Sequence, residues 1–488
     1  MPRRLLQLCL LLGCLTLLGY SVYRAVNLSF VHDESLTYGI FAEDSGFRDT
    51  ANNHFLNTAA MEWAHRWLGD REWHFRLANI LAHVVYLGAG LLILRGLRGP
   101  AALLGFALLN LNPFLIEFFS LARGYGIASA FSLVSLCLLK EAWEHFGSAI
   151  GRVFLFLSSL AVALSVLGNY AWLNLHVAFL AVAIVWIAAD YRASRVSAPG
   201  YFAFAMAFLL INGTSIFYVA KRMLYLREIG DLAGSDQGFI RGTLGSLIQL
   251  YLYNADRVPA GRDALLYAVI AIIAASGVWL VVRMIRERRV TFSGVLICIL
   301  ALASLAPVSE HLLFATMFPA DRSALYYLPL TAVLIACAAD EVTSKYLRPG
   351  LAVSAACYLM TAAMLIHFAR TANLTHTLLW RYDTNTKEVM KEIEARVRQD
   401  KVEPPVSIGA FWPFEPTMNF YRSVGNYTWL ERVTREPPAA RLHDYVYGPI
   451  GMDLGEARKK YTIVRQYPLS NTELLVGPRI ANKPTPGR

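Results

Sequence analysis

Apolar blocks of about 20 residues alternate with short polar stretches from the N-terminus to about Arg370. A helix needs about this length to cross the hydrocarbon core of a bilayer. The pattern predicts about eleven spanning helices, whose windows begin near Leu5, Leu77, Ala101, Gly126, Val153, Tyr170, Phe202, Ala264, Phe292, Ala324 and Leu351. The expected fold class is therefore an all-α polytopic membrane protein.

The first apolar run follows Arg3 and Arg4, as the apolar part of a signal peptide would. It continues to about Val26, however, whereas that part of a signal peptide has roughly 7–15 residues. No small-x-small cleavage site follows the run. The run is therefore predicted to be a retained spanning helix.

Lysine and arginine mark one side of the predicted helices. If the N-terminus is cytoplasmic, every cytoplasmic segment is basic, and the reverse topology would break the positive-inside rule at nearly every turn. The residues concerned are Arg3, Arg4, Arg95, Arg98, Lys140, Arg152, Arg192, Arg195, Arg283, Arg286, Arg288, Arg289, Lys345 and Arg348. We expect a cytoplasmic N-terminus and a C-terminal region on the opposite side of the membrane.

Composition agrees with a chain that lies in lipid. Of its 488 residues, 56% are hydrophobic and 16% are charged, whereas soluble domains carry roughly 25% charged residues. The net charge of +10 comes largely from the basic loops, so no nucleic-acid partner is expected. The six cysteines all fall inside predicted helices, which argues against a disulfide framework; they are Cys9, Cys14, Cys137, Cys298, Cys337 and Cys357.

Three outer segments are long: about 27–75, about 220–263, and everything after Arg370. The last of them is large enough to form a small domain. We expect a transmembrane region over residues 1–370, which includes the two loops, and an extracytoplasmic α/β domain over residues 371–488.

Each of the two loops contains apolar residues at helical spacing. They are Leu56, Ala60, Trp63 and Trp67 in the first loop, and Ile240, Leu244, Leu247 and Tyr251 in the second. Tryptophans on such a stripe suit the headgroup layer, which predicts helices on the membrane surface. These helices either pack on the bundle or frame a cavity at the membrane surface, and the sequence leaves both alternatives open.

The C-terminal tail mixes helical and strand-like runs. Helices are predicted at Thr386–Asp400 and Pro416–Val424, and strands at Val406–Ala410, Tyr461–Arg465 and Leu474–Val476, with a turn at Ser470–Asn471. No catalytic motif is visible in the tail. A structural or acceptor-docking role is therefore expected.

Two pairs of charged residues are candidates for chemistry. Asp33 and Glu34 follow the first helix on its outer side; a partly buried Asp33 could serve as a general base, and a solvated loop pair is the alternative. Glu117 and Arg123 lie in otherwise apolar surroundings, where ionisable residues tend to be paired or functional. Arg123 could pair with Glu117, or its guanidinium fork could bind a phosphate.

Histidine and a second arginine supply further candidates. His54, after Asn53, stands at the start of the first interfacial helix and could bind a metal, carry a proton or cap that helix. Asp321 and Arg322, before the tenth helix, could form an ion pair, or Arg322 could bind a phosphate. A metal site would combine Asp33, His54, Glu310 and His311, but their spacing matches no known ligand pattern. No cofactor is expected, with a divalent metal as the alternative.

These residues resemble the motifs of the GT-C superfamily of membrane glycosyltransferases, and within it the protein O-mannosyltransferase and aminoarabinose-transferase group and its bacterial relatives. Besides the acidic pair, the likeness rests on Asn53-His54-Phe55-Leu56-Asn57-Thr58 leading into Arg76-Leu77-Ala78-Asn79, on Asn112-Pro113 with Ala122-Arg123-Gly124-Tyr125-Gly126, and on Asp321-Arg322-Ser323-Ala324-Leu325-Tyr326-Tyr327-Leu328-Pro329. Phe55 stands where family members often have proline.

The resemblance implies a transferase that moves a sugar from a polyprenyl-phosphate-linked donor to a hydroxyl of a lipid, glycan or protein acceptor in one inverting displacement. It implies Asp33 as the base with Glu34 in support, and Arg123 and Arg322 as ligands of the donor phosphate. The substrate contacts expected from it are Asn53, His54, Glu117, Tyr125 and Asp321. The expected location is a bacterial inner membrane, with the C-terminal domain in the periplasm and membrane lipid as a partner.

Two other classes of protein compete with the transferase. A lipid-sugar flippase or transporter would concentrate polar residues near the membrane midplane. Asn169, Asn174 and Asn212 are the best evidence for it, but interhelical hydrogen bonds explain them better. A membrane scaffold that displays the tail would not need Asp33 or Arg123.

Overall fold

Helices dominate the computed structural model, which describes residues 3–43, 46–194, 197–253 and 259–481. The α-helices are α1 (Arg3–Asn27), α2 (His32–Ala42), α3 (Phe55–Leu68), α4 (Glu72–Leu94), α5 (Gly99–Asn110), α6 (Pro113–Glu117), α7 (Gly124–Glu144), α8 (Ala149–Gly168), α9 (Leu173–Ala193), α10 (Ala198–Glu228), α11 (Ser246–Leu252), α12 (Pro259–Glu287), α13 (Phe292–Phe314), α14 (Tyr327–Lys345), α15 (Leu347–Thr371), α16 (Thr386–Gln399), α17 (Glu415–Val424) and α18 (Pro478–Ala481). The strands are β1 (Ile408–Ala410), β2 (Tyr445–Pro449), β3 (Thr462–Tyr467) and β4 (Thr472–Val476).

Ten helices in the described part of the chain are long and apolar enough to cross a membrane. They are α1, α4, α7, α8, α9, α10, α12, α13, α14 and α15. Large apolar side chains stay exposed along them, such as Val185 at 69% and Leu359 at 72%. Such surfaces are unfavourable in water and suited to lipid. The chain is an integral membrane protein, and the predicted fold class is confirmed.

Of the eleven predicted windows, the one from Ala101 is shorter than these ten helices of the described chain. It forms α5, which has 12 residues. The next helix starts at once, because the side chain of Asn112 accepts hydrogen bonds from the backbone N–H groups of Phe114 and Leu115. Pro113 has no N–H to continue α5 and is well suited to the first turn of α6.

The second outer loop begins later than residue 220, because α10 continues to Glu228. Lys221 and Arg222 end the apolar stretch but are good helix formers, so the helix runs on past them. Within the loop, Phe239–Gly245 is a π-helical segment that leads directly into α11. The helical stretch predicted around Leu244 and Tyr251 is thus confirmed.

The chain divides into two compact units. The first comprises Met1–Val22, His54–Asn57 and Leu77–Ala372, and the second comprises Tyr23–Asn53, Thr58–Arg76 and Asn373–Arg488. The tail therefore shares a unit with most of the first outer loop. The domain division drawn at residue 370 stays a prediction.

The second unit contains a four-stranded sheet with the order β1-β2-β4-β3, in which β1 and β2 are parallel and the other pairs antiparallel. Helices α16 and α17 share an apolar core with Tyr445, Tyr447 and Leu474, while Val446 and Leu475 are buried in a separate cluster. This alternation is what a sheet covered on both faces requires. The predicted α/β tail is confirmed, but strand β2 was missed.

Candidate active site

Asp33 belongs to the segment predicted as the first outer loop, and it lies in the first turn of a helix there, α2. His32, Asp33 and Glu34 are all buried, with exposures of 8%, 8% and 0%. The hydroxyl of Thr37 and the amide of Asn52 donate to the carbonyl of Asp33 at 3.0 and 3.3 Å. A carboxylate in the first turn is favoured by the helix dipole. Asp33 is therefore held on a rigid element.

Glu34 fixes the start of α2. Its Oε2 accepts the backbone N–H of Val31 at 3.0 Å, and both oxygens accept from the guanidinium of Arg76, at 2.8 and 2.6 Å. Arg76 is fully buried and also donates to the carbonyls of Ala25, Leu28 and Ser29. Such a pair is stable only with its remaining hydrogen bonds satisfied. Glu34 is thus placed to support the helix that carries Asp33.

Asn53 orders the turn that enters α3. Its side-chain amide donates to the carbonyl of Arg48 at 2.7 Å and accepts from the hydroxyl of Thr58 at 2.8 Å. Helix α3 confirms the predicted amphipathic helix, and Trp63 and Trp67 remain exposed on it. Its place at the membrane surface and a substrate contact from Asn53 stay predictions.

In the first unit, His54 lies among residues that the sequence could not bring together. Nη2 of Arg123 donates to Nε2 of His54 at 2.8 Å, and the amide nitrogen of Asn169 lies 3.2 Å from Nδ1. The ring of Tyr125 lies edge-on to His54 with centroids 4.9 Å apart. The guanidinium carbon of Arg322 lies 5.9 Å from the centroid of that tyrosine. We call these five residues the arginine cluster.

The imidazole of His54 is neutral in this environment. Burial lowers the pKa of His54 well below its usual value, and the charges of Arg123 and then Arg322 lower it further. A guanidinium can only donate, so Nε2 must be the acceptor of this hydrogen bond. His54 thus orients Arg123 and does not neutralise it. Arg123 and Arg322 thus both lie near the buried pair of His54 and Tyr125.

Helix α7 adds a further positive end to the arginine cluster. Arg123 is its N-cap residue and Gly124 begins its first turn. The first N–H groups of a helix and its dipole favour anions. Two guanidinium groups at such an end form a suitable environment for a phosphate, which they can bind with charge-assisted hydrogen bonds.

Two asparagines hold the turn that precedes Arg123. The amide of Asn57 donates to the carbonyl of Ala122 at 2.8 Å, and its oxygen accepts from Asn79 at 2.9 Å. Both side chains are buried, at 1% and 0% exposure. These residues belong to the stretches that carry the family resemblance, and their role is to place Arg123.

Close packing around Gly124 leads to a test of the arginine cluster. A Cβ atom at Gly124 would overlap the carbonyl oxygen of Gly168 and lie 2.7 Å from Cβ of His54. We expect Gly124→Ala to lower the free energy of unfolding by about 1–3 kcal/mol through overpacking, and to displace His54 from Arg123. Thermal unfolding of the purified protein in detergent measures the first effect.

The matched control for this substitution is Gly88→Ala. Gly88 lies in α4, and a Cβ atom there would meet nothing within 4 Å. The control should unfold no earlier than the wild type, because alanine is the better helix former. Equal unfolding temperatures for the two variants would contradict the packing seen at Gly124.

Other predicted residues lie at different places in the first unit. Glu117 is 1% exposed and accepts a hydrogen bond from the hydroxyl of Tyr253. Asp321 is exposed, and its backbone N–H donates to Ser246 at 2.8 Å. Substrate contacts from Glu117 and Asp321 stay predictions.

The hydropathy pattern places Glu310 and His311 in the outer loop before the tenth helix, but they belong to the end of α13, which corrects that prediction. The side chain of His311 interacts with the carbonyl of Thr316 at 2.7 Å. Among the residues that the structure describes, no group of three or more histidine, cysteine, aspartate and glutamate side chains could hold a metal ion. All six cysteines are free thiols on helices.

Two residues of the candidate site were missed or read differently. Asn169 was grouped with Asn212 as a partner in helix packing. That reading fits Asn212, whose amide oxygen bonds His176 on the neighbouring helix at 2.8 Å, but Asn169 lies beside His54. Asp383 was not considered, although it bonds the backbone of His32. Asp383 stands out only because it is buried in the structure, and nothing in the sequence indicates that burial.

Comparisons with known proteins support the fold. No family model matches the sequence, and no curated protein matches it significantly. Among solved structures, ArnT from Cupriavidus metallidurans in the apo state is 12% identical with a TM-score of 0.56, and the match covers 97% of this chain and 99% of that one. ArnT bound to undecaprenyl phosphate is 12% identical with a TM-score of 0.54, covering 96% and 97%.

A weaker likeness connects the chain with an oligosaccharyltransferase from Archaeoglobus fulgidus. It has 15% identity and a TM-score of 0.45, and covers 93% of this chain and 72% of that one. The two ArnT structures, with TM-scores of 0.56 and 0.54, show the likeness of fold. The chain therefore has the fold of ArnT, in agreement with the GT-C fold that the family resemblance implies.

Proposed function

We propose that this protein transfers a sugar from a polyprenyl-phosphate donor to an acceptor hydroxyl. The observation that carries the proposal is the arginine cluster, in which Arg123 and Arg322 approach the same buried His54–Tyr125 pair at the N-terminus of α7. A leaving phosphate needs its charge stabilised, and positively charged donors fixed in advance supply this stabilisation. The structure of ArnT with undecaprenyl phosphate supports the same class of ligand.

In the proposed reaction, the acceptor oxygen attacks the anomeric carbon of the sugar. The new C–O bond forms as the bond between that carbon and the phosphate oxygen breaks, so the configuration inverts. Asp33 takes the proton of the hydroxyl as general base, and the polyprenyl phosphate leaves with its charge held by Arg123 and Arg322. The lipid chain of the donor explains why such an enzyme lies in a membrane. A bacterial inner membrane is the proposed location.

The direct test is an assay with purified protein in detergent or nanodiscs. Incubation with a polyprenyl-phosphate sugar and candidate acceptors should release polyprenyl phosphate and glycosylate one acceptor class. Candidates are a lipid, a polysaccharide and a peptide hydroxyl, each tested separately. Movement of intact lipid-linked sugar across a liposome membrane without cleavage would instead favour a flippase, and neither activity would favour a scaffold.

A further inference from the structure

Asp383 is a fully buried carboxyl group in the second unit, in the short helical turn Arg381–Asn385. Its Oδ2 accepts the backbone N–H of His32 at 2.7 Å and the hydroxyl of Thr417 at 3.0 Å. Its Oδ1 accepts the hydroxyl of Thr386 at 2.8 Å. All three donors are neutral. A buried carboxyl supported only by neutral donors is costly, so its presence calls for an explanation.

The position of the bonded N–H supplies that explanation. His32 is the first residue of α2, and Val31 before it has no polar side chain to cap the helix. The first N–H groups of a helix need acceptors from elsewhere, and a carboxylate there also complements the helix dipole. Asp383 therefore acts as an N-cap supplied from a distant part of the chain.

The same turn of α2 is held at a second point. The side chain of His32 interacts through Nδ1 with the carbonyl of Pro413 at 2.7 Å, so Nδ1 carries the proton. Thr417, which bonds Asp383, also lies 3.4 Å from the hydroxyl of Ser35. Residues of the tail thus contact the first turn of α2 on both sides of Asp33, at His32 and at Ser35.

We propose that Asp383 is a positioning residue for Asp33, and that the C-terminal region takes part in the reaction by fixing the first turn of α2. The kinetic part of this inference rests on the proposed transferase activity. Displacement of a catalytic group by about 1 Å can reduce a rate about 100-fold, so a lost cap at this turn should be visible in the rate.

The charge of Asp383 gives the proposal a second readout. Burial raises the pKa of Asp383 to about 7, and the neighbouring Asp33 raises it as well, whereas Thr386, Thr417 and the N–H of His32 lower it. The phenol of Tyr447 also faces this carboxyl. A carboxyl whose pKa is raised on folding contributes stability at acid pH, which is lost as pH rises through 7.

The test compares Asp383→Ala with Asp383→Asn and with Asp444→Ala. Asp444 is a second buried carboxyl of the tail, and it bonds Ser407 and Arg479, neither of which belongs to α2. We expect Asp383→Ala to lower kcat about 10- to 100-fold with KM for the donor nearly unchanged. Asp383→Asn keeps one acceptor oxygen and should retain most of the rate. Asp444→Ala should lower the unfolding temperature and leave kcat close to the wild-type value.

Hydrogen–deuterium exchange makes the test independent of any activity. The backbone amides of residues 32–38 should exchange faster in Asp383→Ala and at the wild-type rate in Asp444→Ala. Between about pH 5 and pH 8, the unfolding temperature of the wild type should fall relative to Asp383→Asn, which does not titrate. If exchange at α2 is unchanged in Asp383→Ala, or if both alanine variants lose the same fraction of kcat, the proposal is wrong. Unchanged turnover in Asp33→Asn, with faster exchange in Asp383→Ala, would instead refute only the proposed base.

Discussion

Asp33→Asn is expected to lower sugar transfer about 10²- to 10⁴-fold without unfolding the protein. Asparagine has the shape of aspartate but cannot take a proton from the acceptor hydroxyl. The carbonyl of residue 33, which Thr37 and Asn52 bond, is unaffected by the change. Transfer is measured as release of polyprenyl phosphate by purified protein, together with the thermal unfolding temperature.

A suitable control for this variant is Glu62→Gln. Glu62 is a carboxylate on α3 whose ion pair with Arg66 lies at the surface, and surface pairs of this kind contribute little. The control should transfer at the wild-type rate. Turnover by Asp33→Asn equal to that of the wild type would exclude Asp33 as the base, whatever the donor turns out to be.

Arg123→Gln is expected to lower kcat about 10²- to 10³-fold, the usual effect of removing one donor to the charge that develops in a transition state. Arg123→Lys should recover part of this loss, because it keeps the charge but not the planar fork. Binding of undecaprenyl phosphate should weaken in both variants. Arg322→Gln should act in the same direction with a smaller effect, since Arg322 is only half-buried.

The control for the arginine variants is Arg241→Gln, which removes the same charge from an exposed position in the second outer loop. It should bind undecaprenyl phosphate as the wild type does. If Arg123→Gln and Arg241→Gln weaken binding equally, only the net charge matters, and the arginine cluster is not the phosphate site.

The local pattern of apolar and polar residues was sufficient to predict many elements of the fold. The apolar windows predicted the spanning helices, and the helical stripe through Trp63 and Trp67 predicted α3. Strand β2 was missed because Gly448 and Pro449 weaken the strand pattern, and its pairing with β1 and β4 depends on residues far away in the chain. Helix α2 was read as part of a loop because the residues that hold its first turn are distant in sequence. Arg76 bonds Glu34 across 42 residues, and Asp383 caps His32 across 351 residues.

The sequence indicated individual residues of the candidate site, but it did not indicate which of them lie in contact. The cost of a charge in apolar surroundings singled out Arg123, and the family resemblance added His54 and Arg322. Nothing in the sequence shows that the imidazole accepts a hydrogen bond from Arg123, because the two residues are 69 positions apart. Asn169 looked like a packing residue for the same reason.

The hydrogen bond from His32 to Asp383 also sets an order of events during synthesis. At a rate of about 5–20 residues per second, the ribosome needs on the order of tens of seconds to make the chain between these two positions. Through that interval α2 exists without its distant cap and without Phe420, whose ring stacks on Phe30 at 4.1 Å. The helix that carries Asp33 is therefore among the last parts to reach its final form, and we expect chains interrupted before Asp383 to insert into the membrane but to remain inactive.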